Sequence, residues 1–249
     1  MNNDQFESRM RSLEYFHNLR LLPETYTIIR LDGRSFSNFT ASSKFDKPFD
    51  DRFHSMMLDT TKAVLTDLGG IYGYTESDEI SILFPPEWEM FNGSVEKLVS
   101  ISASIASSNF THISNSIVSF DSRVISLVNP EQVIDYFLRR QADAARCALN
   151  GWSYWTLRNL GNSARKATSI LDKQTVTFKN KLLFDNGINF NDTPNWQKRG
   201  TGIYWEEYEK TGFDPIKKVE VIAPRRRLKI DEELPIKEQY AEFIKTILG

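Results

Sequence analysis

Two short acidic stretches hold the residues best suited to chemistry, Arg30-Leu31-Asp32-Gly33-Arg34 and Ser77-Asp78-Glu79. Each sits at the end of an apolar run of the β type. Thr25 to Ile29 is rich in β-branched and aromatic residues, and Ile71 to Tyr74 is answered after its turn by Ile80 to Phe84. If these strands are neighbours, Asp32, Asp78 and Glu79 meet at one edge of a sheet. Carboxylates gathered there repel one another unless a cation lies between them, and hard oxygen ligands in an open cleft suit Mg²⁺. Two such ions about 3.5–4 Å apart serve nucleotidyl transfer, one activating the attacking oxygen and one stabilising the leaving phosphate. Taken singly, Asp-Gly and Ser-Asp are ordinary turn dipeptides. Their combination is what points to a two-metal centre.

The flanking residues fit phosphate chemistry. Gly33-Arg34-Ser35-Phe36-Ser37 can present successive backbone N–H groups to a triphosphate, with Gly33 allowing close approach and Arg34 adding charge. Lys47, just before Pro48, can reach phosphate, though a solvated loop lysine is its plainer reading.

The elements that must position these groups follow from periodicity. Asp4 to Leu21 places Phe6, Met10, Leu13 and Phe16 on one helical face, ended by Pro23. A polar loop to Pro48 follows the first strand. A helix from about Asp50 then carries Phe53, Met56, Met57, Thr60 and Val64 and stops at Gly69-Gly70. The hairpin 71–84, a helix over about 94–115 and a strand over 123–128 complete the order β-α-β-β-α-β. That order predicts an α+β class, a ferredoxin-like sheet with helices on one face. Beyond residue 130 the chain reads as mainly helical: one long helix over 135–160, shorter ones over 163–171 and 174–184, a loop-like stretch over 185–202, and a last amphipathic segment over 237–248. The expected division is a palm-like catalytic region over 1–130 and a helical region over 131–249 packed on it as one unit.

Composition bounds the function classes. The chain has 249 residues, 40% of them hydrophobic and 26% charged, which is enough for a buried core and argues against disorder. A net charge of −2 excludes a broadly basic coat but not local basic faces such as Arg225-Arg226-Arg227. The single cysteine, Cys147, excludes an intrachain disulfide and fits a reducing cytoplasm, and three scattered histidines offer no zinc spacing. The polar start lacks the apolar core of a signal peptide. Residues 98–120 are free of Lys, Arg, Asp and Glu, yet their many serines favour a packed soluble helix over a membrane span.

Several ordered motifs together resemble the tRNA-His guanylyltransferase family. They are Arg30-Leu31-Asp32-Gly33-Arg34, Lys47-Pro48-Phe49-Asp50, Tyr74 to Ser81, Lys97, Phe120-Asp121-Ser122-Arg123, Arg140-Gln141-Ala142-Asp143, Lys179-Asn180 and Lys198-Arg199-Gly200-Thr201. The resemblance spans roughly residues 5 to 205. It implies a polymerase-type palm, nucleotide addition to the 5′ end of tRNA in the 3′-to-5′ direction, and a homotetramer. It further implies that Asp32, the Gly33 carbonyl and Asp78 ligate Mg²⁺ with Glu79 in support. Ser77, Lys47, Lys97 and Lys179 would hold the triphosphates of ATP or GTP, and Phe45 and Asp50 would lie near the incoming nucleotide. Arg140, Asp143, Lys198 and Arg199 are weaker candidates for tRNA contact or active-site support, since a charged helix face is by default only solvated.

One departure separates two branches. Members that add the extra guanylate carry His-Ile-Asn-Asn shortly after Gln-Ala-Asp, whereas this chain reads Ala144-Ala145-Arg146-Cys147-Ala148. The expectation is therefore template-dependent repair of tRNA with an incomplete 5′ end. Its alternatives are guanylate addition at position −1, a nucleotidyl cyclase on a related palm, and a non-catalytic RNA-binding relic.

Overall fold

A computed structural model describes residues 3–214 and 219–249. The helices are α1 (Asn3–Arg11), α2 (Phe36–Ser42), α3 (Asp51–Leu68), α4 (Val95–Ser114), α5 (Pro130–Asn159), α6 (Ala164–Leu171), α7 (Val176–Phe184), α8 (Asn195–Arg199) and α9 (Glu238–Leu248). The strands are β1 (Tyr26–Gly33), β2 (Tyr72–Glu76), β3 (Glu79–Phe84), β4 (Phe120–Leu127), β5 (Thr201–Asp214) and β6 (Val219–Asp231). They form one antiparallel sheet in the order β4-β1-β3-β2-β5-β6. Its first four strands, with α3 and α4 as crossovers, are the expected ferredoxin-like unit.

Local chemistry sets the helix limits. Asp50 caps α3 by accepting from the N–H groups of Arg52 and Phe53, and Gly69 closes it at φ +72°. Asn129 caps α5 by accepting from Gln132 N–H, and Pro130 sits in its first turn.

Both faces of the sheet are covered, not one. Ile29, Leu31, Ile80, Ile82 and Phe84 pack with Met57, Leu65, Leu98 and Phe110 of α3 and α4. Ile28, Leu83 and Tyr72 pack with Val133 and Phe137 of α5 and Tyr240 and Ile244 of α9. Successive strand residues point to opposite faces, so covering both places adjacent apolar residues such as Ile28-Ile29 and Ile82-Leu83 in the interior.

Three expectations need correction. The helical reading of the second half missed β5 and β6, which extend the palm sheet. Only the first four residues of β5 pair with β2, and the rest forms a two-stranded ribbon whose Glu, Lys and Arg content hides the strand pattern. The N-terminal helix ends at Arg11, a 3₁₀ turn covers Tyr15–Asn18, and no residue of either is buried. The loop before Pro48 contains α2.

Candidate active site

Asp32 lies inside β1 and not in a turn beyond it. Its cross-strand partners are Asp121 on β4 and Glu79 on β3, and Glu79 is in turn opposite Glu76 on β2. Residues opposite one another in a sheet share a face, so Asp121, Asp32, Glu79 and Glu76 form one row of carboxylates on the α5 side. The neighbouring row on that face is Arg123, Arg30, Ser81 and Tyr74. Arg140 of α5 reaches across to both Glu79 oxygens at 3.2 and 3.1 Å, and Arg30 Nε lies 3.9 Å from one of them.

Asp78 arrives by the two-residue turn between β2 and β3, in which Ser77 takes φ +50°. The N–H of Gly33 donates to the Asp78 carbonyl at 3.1 Å, tying the end of β1 to this turn. Ser77 Oγ donates to the Asp78 carboxylate at 3.1 Å. Burial pushes the Asp32 carboxyl up, reinforced by Asp121 and opposed by Arg123 and Arg30. Burial and then the charge of Asp32 push Asp78 up. Glu79 rises through burial against the pull of Arg140 and Arg30, and Glu76 is pushed up to about 8 by burial and by Glu79.

Among the described residues no group of three or more His, Cys, Asp or Glu side chains converges as a metal cage. A Mg²⁺ site does not require one, because that ion takes one or two carboxylates and completes its shell with water and substrate phosphates. The Asp32 and Asp78 carboxylates and the Gly33 carbonyl are hard oxygen donors, and the repulsion between the two carboxylates is what a cation would relieve. The donor set therefore fits Mg²⁺, with Glu79 held apart by Arg140.

A cavity of about 120 Å³ lies next to Ser77, lined by Phe45, Lys47, Phe49, Asp50, Phe53 and Trp196 among others. A smaller one of about 30 Å³ adjoins it, sharing Phe49, His54, Ser77 and Trp196 and reaching Glu76, Ala144, Cys147 and Ala148. Lys47 Nζ lies 5.9 Å from the centre of the Trp155 ring, and burial pushes its pKa down. Lys179 Nζ donates to Asn150 Oδ1 at 2.6 Å, and Gly151 faces Pro48. One stretch of α5, residues 150–155, thus gathers both lysines. Asp50 lines the larger cavity, but its oxygens accept from Asp46 N–H and Arg52 and cap α3.

Other expected residues are placed differently. The N–H groups of Gly33 and Arg34 donate to the carbonyls of Asp78 and Ser119, so the phosphate-facing donors of this stretch are reduced to Ser35, Phe36 and Ser37. A Cβ on Gly33 would meet the Phe36 ring at 2.5 Å, so this glycine admits a core aromatic side chain. Lys97 is exposed in the first turn of α4, which is tied to Leu19 and stands beside the start of β1. Within one chain Lys97 lines neither of the two cavities beside Ser77. Lys198 donates to the Asn191 carbonyl at 2.7 Å and Arg199 to the Leu234 carbonyl at 2.9 Å, which makes them braces for neighbouring loops. Asp143 is held low despite some burial by Arg146, whose Nη2 is 2.6 Å away, and by Arg140 and Arg139.

Sequence reasoning quoted Glu76, Arg30, Asp121 and Arg123 within motifs without giving them a role, and it missed the stacked pair His54 and Trp196, whose ring centres are 4.0 Å apart. Strand register was the signal for the first four. Nothing local marks His54 or Trp196, which meet only through the fold.

A family model described as tRNAHis guanylyltransferase matches residues 7–128, and one described as the Thg1 C terminal domain matches residues 131–245. The chain is 31% identical over 228 residues to the tRNA(His) guanylyltransferase of Debaryomyces hansenii, covering 86% of each protein. It is 31% identical over 198 residues to that of Neurospora crassa, covering 74% of this chain and 68% of the other. A bacterial tRNA(His) guanylyltransferase (Thg1)-like protein solved in complex with ATP superposes with a TM-score of 0.77 at 28% identity, covering 97% of this chain and 98% of that one. The corresponding complex with GTP gives 0.74 at 27%, covering 98% and 99%.

Proposed function

Since the chain belongs to the tRNAHis guanylyltransferase family of nucleotidyltransferases, we propose that it rebuilds truncated tRNA 5′ ends by template-dependent 3′-to-5′ addition. The observation that carries this reading is Ala144-Ala145-Arg146-Cys147-Ala148 in place of the His-Ile-Asn-Asn motif of the guanylate-adding members. Ala144, Cys147 and Ala148 line the small cavity beside Ser77 and Glu76, so the departure falls at the candidate site itself.

The reaction has two transfers. A 5′-monophosphate oxygen attacks the α-phosphorus of ATP and expels pyrophosphate, leaving an adenylylated end. The 3′-OH of the incoming nucleoside triphosphate then attacks the 5′ phosphorus of the RNA and expels AMP. A triphosphorylated end skips the first transfer and loses pyrophosphate. Positioning and charge neutralisation supply most of the catalysis in such steps. Lys47, Lys179 and Ser77 hold the triphosphate, while Phe45 and Asp50 border the nucleotide. Arg140 fixes Glu79 so that Asp32 and Asp78 face the reacting phosphates. Asp32, Asp78 and the Gly33 carbonyl would hold two Mg²⁺ ions, which when bound would neutralise phosphate charge and activate the attacking oxygen. The reading includes a cytoplasmic homotetramer that takes ATP or GTP, with residues 131–249 bracing a palm over 1–130.

The test is transfer of α-³²P-labelled nucleotide to a 5′-truncated tRNA, offering each of the four nucleotides in Mg²⁺ buffer. Incorporation that follows the opposite template base is expected. Addition of G whatever the template base returns the guanylate-adding alternative, and turnover of ATP or GTP without RNA returns the cyclase.

A further inference from the structure

His54 lines both cavities beside Ser77, yet the proposed reaction gives it no task. It stands one turn into α3 from the Asp50 cap, with 12% of its side chain exposed. Residues from the far half of the chain fix its ring. Nε2 lies 3.0 Å from Glu232 Oε1, just beyond β6, and 3.4 Å from Thr201 Oγ1 at the start of β5. The indole of Trp196 on α8 stacks on the imidazole with 9° between the planes, and Phe49 meets that indole edge-on at 5.6 Å. One orientation of the ring is thereby selected.

The second nitrogen is unused. Among the described residues Nδ1 has no hydrogen-bond partner, and it is not one of the buried polar atoms sealed from water. An ionised carboxylate only accepts, so Glu232 takes the Nε2 proton. Burial holds the pKa of His54 below its usual value against the pull of Glu232 and Asp51, which leaves the ring neutral at pH 7 with a lone pair on Nδ1. A histidine that only fills space would satisfy both nitrogens within the protein. Here one is set as an acceptor facing a cavity wall.

Its place along the cavities indicates what it meets. Ser77, His54 and Trp196 border both cavities, whereas Phe45, Phe53 and Thr40 line only the larger one. With phosphates at Ser77 and a base among the phenylalanines, the sugar falls between them. We propose that His54 Nδ1 accepts a hydrogen bond from a ribose hydroxyl of the bound nucleotide, with Glu232 as the positioning residue that presents it. This rests on the reading of the larger cavity as a nucleotide site. An enzyme that copies a template must admit every base, so its selectivity has to come from the sugar and phosphates that nucleotides share. A site built to bond a hydroxyl rejects the analogue that lacks it.

The experiment is equilibrium binding of ATP, 2′-deoxy-ATP and 3′-deoxy-ATP to the full chain in Mg²⁺ buffer without RNA. Wild type is expected to bind one of the two deoxy compounds about tenfold more weakly than ATP. His54→Phe keeps a ring against Trp196 but offers no acceptor, and brings that ratio to within about twofold of one. His54→Asn returns an oxygen near the Nδ1 position and restores most of the ratio. Glu232 is 46% exposed and tolerates substitution, so Glu232→Ala gives the same reading should His54→Phe not fold. It frees the ring and lowers the ratio about threefold. A mere packing defect would weaken ATP and its deoxy forms alike. Wild type that binds all three compounds within about twofold overturns the inference, and so does a His54→Phe chain with an undiminished ratio. Both results leave the nucleotide site and templated addition standing. A chain that binds no nucleotide overturns the cavity reading and the inference together.

Discussion

Two rows of side chains lie on the same face of the same four strands, four residues apart along β1, and differ in almost every property. Ile125, Ile28, Leu83 and Tyr72 form the first and Asp121, Asp32, Glu79 and Glu76 the second. A single helix runs over both. Val133 and Phe137 of α5 seal the apolar row, the Tyr136 hydroxyl bonds Ser81 at 2.8 Å in the row between, and Arg140 meets Glu79 in the acidic row. Ile28 and Leu83, fully buried in the sealed row, each contribute about 1.5–3 kcal/mol by leaving water. In the acidic row burial raises the carboxyls of Asp32, Glu79 and Glu76, so ionised groups there cost stability. One scaffold thus separates holding the fold from holding charge over a distance of about 13 Å.

The sharpest way to break this division is at its acidic end. Asp32→Ala and Asp78→Ala are each expected to lower nucleotide addition by about a thousandfold or more. Their melting temperatures should equal or exceed that of wild type, because a repelling, partly buried carboxylate has been removed. A variant that unfolds, or one that keeps near-normal addition in Mg²⁺ buffer, contradicts the assignment. Leu83→Ala is the mirror image at the sealed end. Its cavity is expected to cost about 3 kcal/mol in denaturant unfolding. Addition per folded molecule should stay within about twofold, since Leu83 touches no reacting group.

The palm was legible because its signals are local and agree with one another. β-branched runs, helical periodicity from about Asp50 and the Gly69-Gly70 stop marked α3, β2, β3 and α4 to within a few residues, while β1 was read as ending at Ile29 and α5 as starting at Asp135. The acidic stretches were legible as residue types, but the row they form was not, because Asp121 and Glu76 join it only through register. A strand over 201–214 was hidden for a physical reason. Trp205, Glu206, Glu207, Tyr208, Glu209 and Lys210 belong to a ribbon with much of its surface in water, where no alternating apolar face is required. Lys97 and Arg199 were legible only as charge near a motif, since within one chain Lys97 lines neither site cavity and Arg199 donates to the Leu234 carbonyl.

Arg140 tests whether the acidic row needs its counter-charge for stability or for geometry. With Glu79 and Arg140 side chains only 17% and 12% exposed, Arg140→Leu leaves a carboxylate stranded and is expected to cost about 2–3 kcal/mol. Adding Glu79→Leu removes the stranded charge and should recover most of that loss in a urea melt, while nucleotide addition remains impaired. Recovery of activity together with stability would show that the pair only fills space.

Asp50 carries the smallest effect and separates burial from environment. Its carboxylate is more enclosed than that of Glu79, yet it is held well below the usual range by Arg52 first and by the N–H groups of Asp46, Arg52 and Phe53. A carboxylate in this sheet therefore rises in pKa where donors are too few for its burial. Because the folded value is depressed, the contribution of Asp50 is complete above about pH 4, its unfolded range, and fades as pH falls toward the folded value. Asp50→Ala is accordingly expected to cost about 1–2 kcal/mol at pH 7. The gap from wild type should narrow in melts taken progressively below pH 4. A gap that stays constant to pH 2 would mean that Asp50 acts by packing alone, and the contrast between its donors and those of the acidic row would lose its meaning.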